Sequence, residues 1–586
     1  MITQMKKYTF LVFHREYEAF LEQLREAGVV HITEKAEGMA EDVQLQSLLA
    51  KADATRKLIA QGAPDQLLQE KAALEQRIAA TQKEAARMAI WGDFSAERIA
   101  QLQNAGYSFR YFTCSKKLFQ EEWGVVVAEQ AGVVYFVRVE GLGVEEFSSL
   151  GVCQEQHLNE KSAADLLKEV EGLNGLLVAQ IARIELWAKE NIPALEAELA
   201  TIQQDIDWQR VTLNTETECD GALKLLEGFA PAELAPALNE MLAKQEVYYQ
   251  EEDPQVEDNT PIKLRNNKFT QLFESLTGMY GWPNYNEYDP TPILAPFFLL
   301  FFALCMGDCG YGIMLTVIGL LIAKKKLNIE MFDGLGPIIT VLGVGTMVVG
   351  FFLGTFMGID LYQAEWVPQG LKSVMIKGEV MGYDIQMVLA LCIGVFHICL
   401  AMVVKAICYT KQFGFKENIA TWGWTLLIVG GLIVAILGMT VLPAALFKGA
   451  IIAVGTVSAL AIYIFNTPGR NPLINIGAGL WETYNMATGI LGDVLSYIRL
   501  YALGLAGGML GAAFNNLGLM VMGGSVEGAI WFQWIPFVLI LVLGHVLNLA
   551  MSALGAFVHP LRLSFVEYFK NAGYEGKGTL YQPFKK

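Results

Sequence analysis

The spacing of hydrophobic positions changes character twice along this chain. Near the N-terminus they come in short runs. Tyr8–Phe13 and Val29–Ile32 read as strands, and Arg15–Ala27 between them reads as an amphipathic helix. Similar runs recur at Val125–Val127 and Val133–Val139. Two long stretches flank this second group, with leucine and isoleucine near a 3.5-residue repeat and charged residues between. One covers 41–90, through Leu45, Leu48, Ala52, Ile59, Leu74 and Ile78, with a break at Gly62-Ala63-Pro64. The other covers 161–206, through Leu166, Val170, Leu173, Leu177, Ile202 and Ile206. The pattern predicts an antiparallel coiled coil of 41–90 with 161–206, carrying small α/β lobes at 1–40, 92–155 and 209–262. An ordinary helical bundle is the plainer alternative.

Beyond residue 288 the pattern becomes almost continuously apolar. Segments at Pro292–Ala323, Leu335–Met357, Gln386–Tyr409, Thr421–Leu442, Phe447–Phe465, Asn475–Asn515 and Ile530–Pro560 approach or exceed the ~20 residues that cross a bilayer. The first is interrupted by Met306-Gly307-Asp308-Cys309-Gly310-Tyr311-Gly312 and reads as two helices joined by a tight turn at Gly307–Gly310, with Asp308 capping the second. That makes eight spans. With eight, Lys324, Lys325, Lys326, Lys405, Lys411, Lys416, Arg470, Lys570, Lys577, Lys585 and Lys586 fall on the side of the N-terminus. Only Lys372, Lys377 and Lys448 fall opposite, as the positive-inside rule requires of cytoplasmic termini. The fold class expected is therefore α+β: a cytosolic coiled-coil rod with α/β lobes over 1–288, then an all-α membrane domain over 289–586. Asn475–Asn515 as one helix would reach ~60 Å against a ~30 Å hydrocarbon core. It must tilt, project or break, with Gly507-Gly508 the candidate break. The last helix carries a similar excess, so both are expected long and tilted.

Composition removes several function classes. A net charge of −17 argues against a nucleic-acid partner. The N-terminus lacks an apolar signal core and reads as folded protein. The eight cysteines form no CxxC pair, and five lie in apolar segments, as expected of reduced, buried residues rather than a metal site. Gly576-Lys577-Gly578-Thr579 lacks the upstream glycine and following hydroxyl of a phosphate-binding loop, so no nucleotide cofactor is expected.

The informative residues are polar ones inside apolar helices. Arg499 cannot shed its charge, and a charge at mid-span costs at least ~2.5–3.5 kcal/mol. Glu482, Asn485, Gly489, Gly492, Ser496 and Arg499 step by three and four, as do His545, Asn548, Ser552, Gly555, His559 and Arg562. Each set shares one helical face. Close packing through small residues would explain the glycines. It is a poor account of Glu482, Arg499, His545, His559 and Arg562 together, so the two stripes read as an ion path or a charge-contact face. Isolated His397 reads as a packed, hydrogen-bonded histidine, and Asp493 faces away from Arg499.

These residues carry a resemblance. Val494-Leu495-Ser496-Tyr497-Ile498-Arg499-Leu500 and Phe557-Val558-His559-Pro560-Leu561-Arg562-Leu563-Ser564-Phe565-Val566-Glu567 resemble the two arginine-bearing helices of the a/I-type membrane subunit of V-type and A-type rotary ATPases. Pro290-Thr291-Pro292 with Gly307–Gly312 resembles that family's approach to the membrane, and Leu226-Glu227-Gly228-Phe229-Ala230-Pro231 a weaker soluble motif. The resemblance implies a stator, and the short chain with plain loops suggests a prokaryotic version in the cell membrane. Its implied partners are a rotating ring of small carboxylate-bearing subunits, peripheral stalks, and through them an ATP-hydrolysing head. It implies two ion half-channels against the ring and an ion-translocating rather than ATP-cleaving role. Arg499 and Arg562 would face the ring carboxylate, Glu482 would serve the inner half-channel, and Asn485, Ser496, His545, Asn548, Ser552 and His559 would line the path. Some relatives place a carboxylate at Ser552, which leaves H⁺ or Na⁺ open. A secondary transporter would show an internal repeat, which is not visible here. A purely structural anchor would give Arg499 no task.

Overall fold

The computed structural model describes residues 2–33, 42–92, 94–141, 153–158, 161–218, 222–245, 247–255, 258–324, 334–440, 443–465, 472–523 and 531–585. Cys219, Lys325, Lys326, Arg470 and Lys586 lie outside them. Contacts divide the chain into two compact units, Glu34–Thr215 and the pair Met1–Thr33 with Glu216–Lys585.

In the first of these, helices Val43–Gln61 and Asp65–Ala89 pack on Ala163–Leu213, a 51-residue helix. Asp42 and Ser162 cap the outer two, accepting from the N–H groups of Leu45 and Asp165. The interruption falls at Gly62, whose left-handed conformation (φ 70°) ends one helix before Pro64 opens the next. Leu45 and Ala52 pack with Ile202 and Ile206, Ile78 with Val170 and Leu173, and Ala85 and Met88 with Ala163 and Leu166. Numbers rise on one side as they fall on the other, so the pairing is antiparallel; Leu45, Ala52, Ile78, Leu166, Val170, Leu173, Ile202 and Ile206 of the apolar repeat are buried, joined by Thr55, Ala85, Met88, Ala163, Gln180 and Val211 from outside it. Strands Val125–Gln130, Val133–Glu140, Ser108–Ser115 and Gln154–Gln156 form an antiparallel sheet in that order, around Phe112, Phe136 and Cys114.

In the other unit, Met5–Phe13 and Leu223–Pro231 form the centre of an antiparallel sheet, edged by His31–Ile32 and Tyr248–Glu252. Helix Tyr17–Ala27 sits close to where its amphipathic pattern predicts. Gly228 stands in the Leu226–Pro231 motif because a Cβ there would lie 2.6 Å from Val30 and 2.9 Å from the His31 carbonyl. The C-terminal tail returns to this lobe. Leu580 bridges Ile262, and the Phe584 N–H donates to the Val30 carbonyl at 2.8 Å. Lys7 is held by Asp258 at 2.8 Å.

The apolar helices, labelled in chain order, are α1 (Thr291–Met306), α2 (Cys309–Ala323), α3 (Gly336–Leu353), α4 (Ile385–Phe413), α5 (Ile419–Thr440), α6 (Ala444–Tyr463), α7 (Pro472–Ser496 and Ile498–Val521) and α8 (Trp534–Arg562). Among the described residues, six helices are long and apolar enough to cross a membrane. The predicted hairpin exists, but α1 and α2 have only 16 and 15 residues, about 24 and 22 Å at 1.5 Å per residue, short of a full hydrocarbon core.

Glycine decides how α2 and α3 meet. Gly312 and Gly319 on one, and Gly336, Gly343 and Gly350 on the other, recur every seven residues. A Cβ at any of the five would come within 2.3–2.6 Å of a backbone nitrogen of the opposite helix. The two backbones therefore touch directly, as small residues allow between membrane helices.

The break in α7 is not at Gly507-Gly508, where the helix is continuous. It is at Tyr497, two residues before Arg499. There the N–H groups of Tyr497 and Leu500 bond three residues back, to Val494 and Tyr497, instead of four. The Tyr497 ring is fully buried, edge-on to Phe301 with centroids 5.7 Å apart, and its hydroxyl meets His397 Nδ1 at 2.8 Å. A buried side chain with a fixed partner, not glycine flexibility, sets the interruption.

Candidate functional site

Arg499 is half-buried on α7, and its Nη1 is buried with no hydrogen-bond partner. Among the described residues it makes no ion pair. Its surroundings are packed by Tyr497 and Leu500, both 0% exposed, so the residue is displayed from a rigid segment. Arg562, at the end of α8, is exposed. His559, one turn before it, is half-buried with Nδ1 unpartnered. Ser496 turns its hydroxyl to its own helix, donating to the Gly492 carbonyl at 3.0 Å. Glu482 and Asn485 are exposed on α7. They stand apart from this group, Glu482 by roughly 25 Å along the helix at 1.5 Å per residue.

The structure does bring together His545, Asn548 and Ser552. Ser552 Oγ donates to Asn548 Oδ1 at 3.2 Å. Asn548 Nδ2 donates to the Gly507 carbonyl of α7 at 2.9 Å and to the Tyr311 hydroxyl of α2 at 2.8 Å. That hydroxyl also meets His545 Nδ1 at 2.8 Å, and His545 Nε2 meets Asn515 Oδ1 at 3.0 Å. Asn515 Nδ2 in turn donates to the Met357 carbonyl at 2.8 Å. One hydrogen-bonded chain thus joins α2, α7, α8 and the turn after α3. Gly507 permits the approach, since a Cβ there would lie 3.0 Å from Ser552 Oγ.

Asp308 anchors the same region. It is 1% exposed, and its carboxylate accepts four backbone N–H groups. Oδ1 takes Gly310 at 2.8 Å, Tyr311 at 3.2 Å and Met357 at 2.8 Å, while Oδ2 takes Gly358 at 2.9 Å. The first two bonds are the expected helix cap. The other two pin a turn in which Met357 (φ 47°) and Gly358 (φ 77°) are both left-handed. Gly358 is pressed on α7, where a Cβ would lie 2.4 Å from Ala512 N. A carboxylate so fully engaged is a clamp, not a carrier.

His397 is the packed histidine expected, 1% exposed and stacked on Tyr568 at 4.5 Å. Asp493 faces the end of the last helix, 2.7 Å from Asn571 Nδ2 and 3.7 Å from Lys570 Nζ. Three residues escaped sequence reasoning. Tyr311 and Asn515 lie 234 and 30 positions from the histidine they hold, and no periodicity links them. Glu567, 2% exposed with Oε2 unpartnered, lies within electrostatic reach of Arg499 and Arg562. Its signal was five positions from Arg562, on a helix continuing past the apolar stretch. No cluster of three or more potential metal ligands occurs among the described residues.

The chain resembles named proteins over much of its length. It is 33% identical over 458 residues to an A-type ATP synthase subunit I of Methanocaldococcus jannaschii, covering 72% of this chain and 62% of that one. It thus spans less than two thirds of that relative. It is 26% identical to a V-type ATP synthase subunit I of Borreliella burgdorferi and 27% identical to a V-type ATP synthase subunit I 1 of Treponema pallidum, in both cases across the whole of both chains. The sequence model described as the V-type ATPase 116kDa subunit family matches residues 160–372 and 482–586, which include the Asp308 clamp and both arginines. Matched over more than half its residues, and over the segments that build this site, the chain belongs to the V-type ATPase 116kDa subunit family.

Proposed function

We propose that this chain is the stator subunit of a rotary V/A-type ATPase in a prokaryotic cell membrane. In this reading 289–586 is the membrane domain, with eight spans and both termini cytoplasmic, α1 and α2 counting as a short hairpin pair. Residues 1–288 form the cytosolic domain, whose antiparallel helices act as a coiled-coil rod for peripheral stalks that lead to the ATP-hydrolysing head. The path of the ion runs in two half-channels along α7 and α8, against a ring of small subunits. Arg499 and Arg562 face the ring carboxylate. Glu482 serves the inner half-channel, and Asn485, Ser496, His545, Asn548, Ser552 and His559 line the path.

The observation that carries this reading is the buried, unpartnered Nη1 of Arg499 on an apolar helix. Glu567 lies within electrostatic reach of this cation but leaves Nη1 without a partner, so the guanidinium stays open to a passing carboxylate. A carboxylate in lipid must be neutral, holding a proton or cation. Beside a guanidinium the ionised form is favoured, so the carboxylate releases its ion there. The same fixed charge blocks direct leakage between the half-channels.

ATP-driven ion uptake into inverted vesicles tests this. Arg499→Ala should abolish uptake while the complex still assembles. Arg499→Lys should remain at least about tenfold impaired, because lysine keeps the charge but loses the forked geometry and can shed its proton. Wild-type uptake with Arg499→Ala would sink the proposal.

A further inference from the structure

We infer that Tyr311 and Asn515 are positioning residues that lock His545 as a neutral imidazole carrying its proton on Nε2. The inference rests on the reading of α8 as a wall of the ion path.

The argument starts from two backbone carbonyls, which can only accept. The Gly507 carbonyl, 2.9 Å from Asn548 Nδ2, fixes that amide, because the flipped form would set oxygen against oxygen. The second N–H of Asn548 then points at the Tyr311 hydroxyl, 2.8 Å away. Tyr311 accepts it and has its own proton left to give, and His545 Nδ1 is 2.8 Å away. From the other side, the Met357 carbonyl fixes Asn515 through Nδ2 at 2.8 Å, which turns Oδ1 toward His545 Nε2 at 3.0 Å. Nε2 must therefore donate and Nδ1 must accept. Both ends of the chain demand the same tautomer.

The alternatives each strand a buried group. A neutral Nδ1–H ring would set the bare Nε2 against Asn515 Oδ1. An imidazolium would donate to Tyr311 and leave the phenol proton without an acceptor, although Tyr311 is 1% and His545 7% exposed. Each such loss disfavours that state by roughly tenfold. The proton on Nε2 also ends in an amide oxygen, which passes nothing on. His545 is thus a fixed dipole rather than a proton relay.

Solid-state ¹⁵N NMR of the whole complex in lipid, with labelled histidine and His545 assigned by its loss in His545→Gln, reads the tautomer directly. We expect bare Nδ1 and protonated Nε2, unchanged between about pH 8 and pH 5. A protonated Nδ1 in that window overturns the inference. Ion uptake in vesicles gives the second readout. Tyr311→Phe and His545→Ala should each lose about tenfold, while His545→Gln, whose amide offers one acceptor and one donor, should keep at least about a third. Wild-type uptake with Tyr311→Phe, or His545→Gln as low as His545→Ala in an assembled complex, overturns the lock. Arg499→Ala in the same series separates the two readings. Its normal uptake would sink the stator itself, whereas its failure beside a failed His545→Gln would sink only the lock.

Discussion

Asp308→Asn tests the clamp at the tip of the α1–α2 hairpin. In the native protein one buried carboxylate satisfies four N–H groups, those of Gly310, Tyr311, Met357 and Gly358. Asparagine keeps an oxygen at the Oδ1 position, so three bonds persist in weaker, uncharged form. At the Oδ2 position it places an N–H against the Gly358 N–H. One donor is stranded and the two repel, at a cost of about 2–3 kcal/mol. Alanine strands all four donors, for roughly 4–8 kcal/mol before local relaxation. Relaxation is limited because the left-handed Gly358 is trapped against α7. At about 2–4 °C per kcal/mol for a domain of this size, Asp308→Asn should melt about 4–12 °C below the native complex in detergent, followed by tryptophan fluorescence. Melting within about 2 °C of wild type would refute the clamp. So would loss of ion uptake at undiminished stability, which would make Asp308 a carrier.

Two further outcomes follow from the packing. Gly343→Ala should destabilise the membrane domain by about 1–3 kcal/mol, since its Cβ would meet Thr316 N at 2.5 Å; Gly455→Ala, with open space around it, is the control in the same melting assay. The Lys7–Asp258 contact should contribute at most about 1 kcal/mol, because both groups keep some solvent contact. Its hydrogen bond to Asp258 raises Lys7 above the ordinary lysine value, so its share is full below that value and lost as pH rises through the raised one. Burial works against the Asp258 ion, but Lys7 and the Gln255 N–H outweigh it and hold the carboxyl low. Its share is present above the ordinary aspartate value and lost as pH falls through the lowered one. Asp258→Asn should therefore flatten the acid limb of the lobe's stability profile, and an unchanged limb would count against the pair.

Local signals were legible where the physics is local. The helix pair of residues 43–213, the break at Gly62 and the Asp308 cap each depend on residues a few positions apart. So does the apolar face of Leu45, Ala52, Ile78, Val170, Leu173 and Ile202. The strand Ser108–Ser115 was missed because its alternation is weak, and only Phe112 and Cys114 are fully buried. The glycine sevenfold spacing was present in the sequence, but a repeat on one helix has meaning only once a second repeat is known to face it.

By itself the sequence determined which residues are out of place: permanent cations, histidines and a glutamate in helices otherwise suited to lipid, and an aspartate in the turn between two of them. It could do so because the cost of a charge in an apolar segment belongs to the residue and its surroundings in the chain. Tertiary structure alone decided what holds them. Tyr497, not Gly507-Gly508, interrupts α7, because His397 and Phe301 come from other helices to fix it. His545 owes its proton's position to Tyr311 and Asn515, and theirs rests on the carbonyls of Gly507 and Met357. Hydrogen bonds are directional and need a partner within about 3 Å. A partner at that range on another helix leaves no periodic trace in the chain.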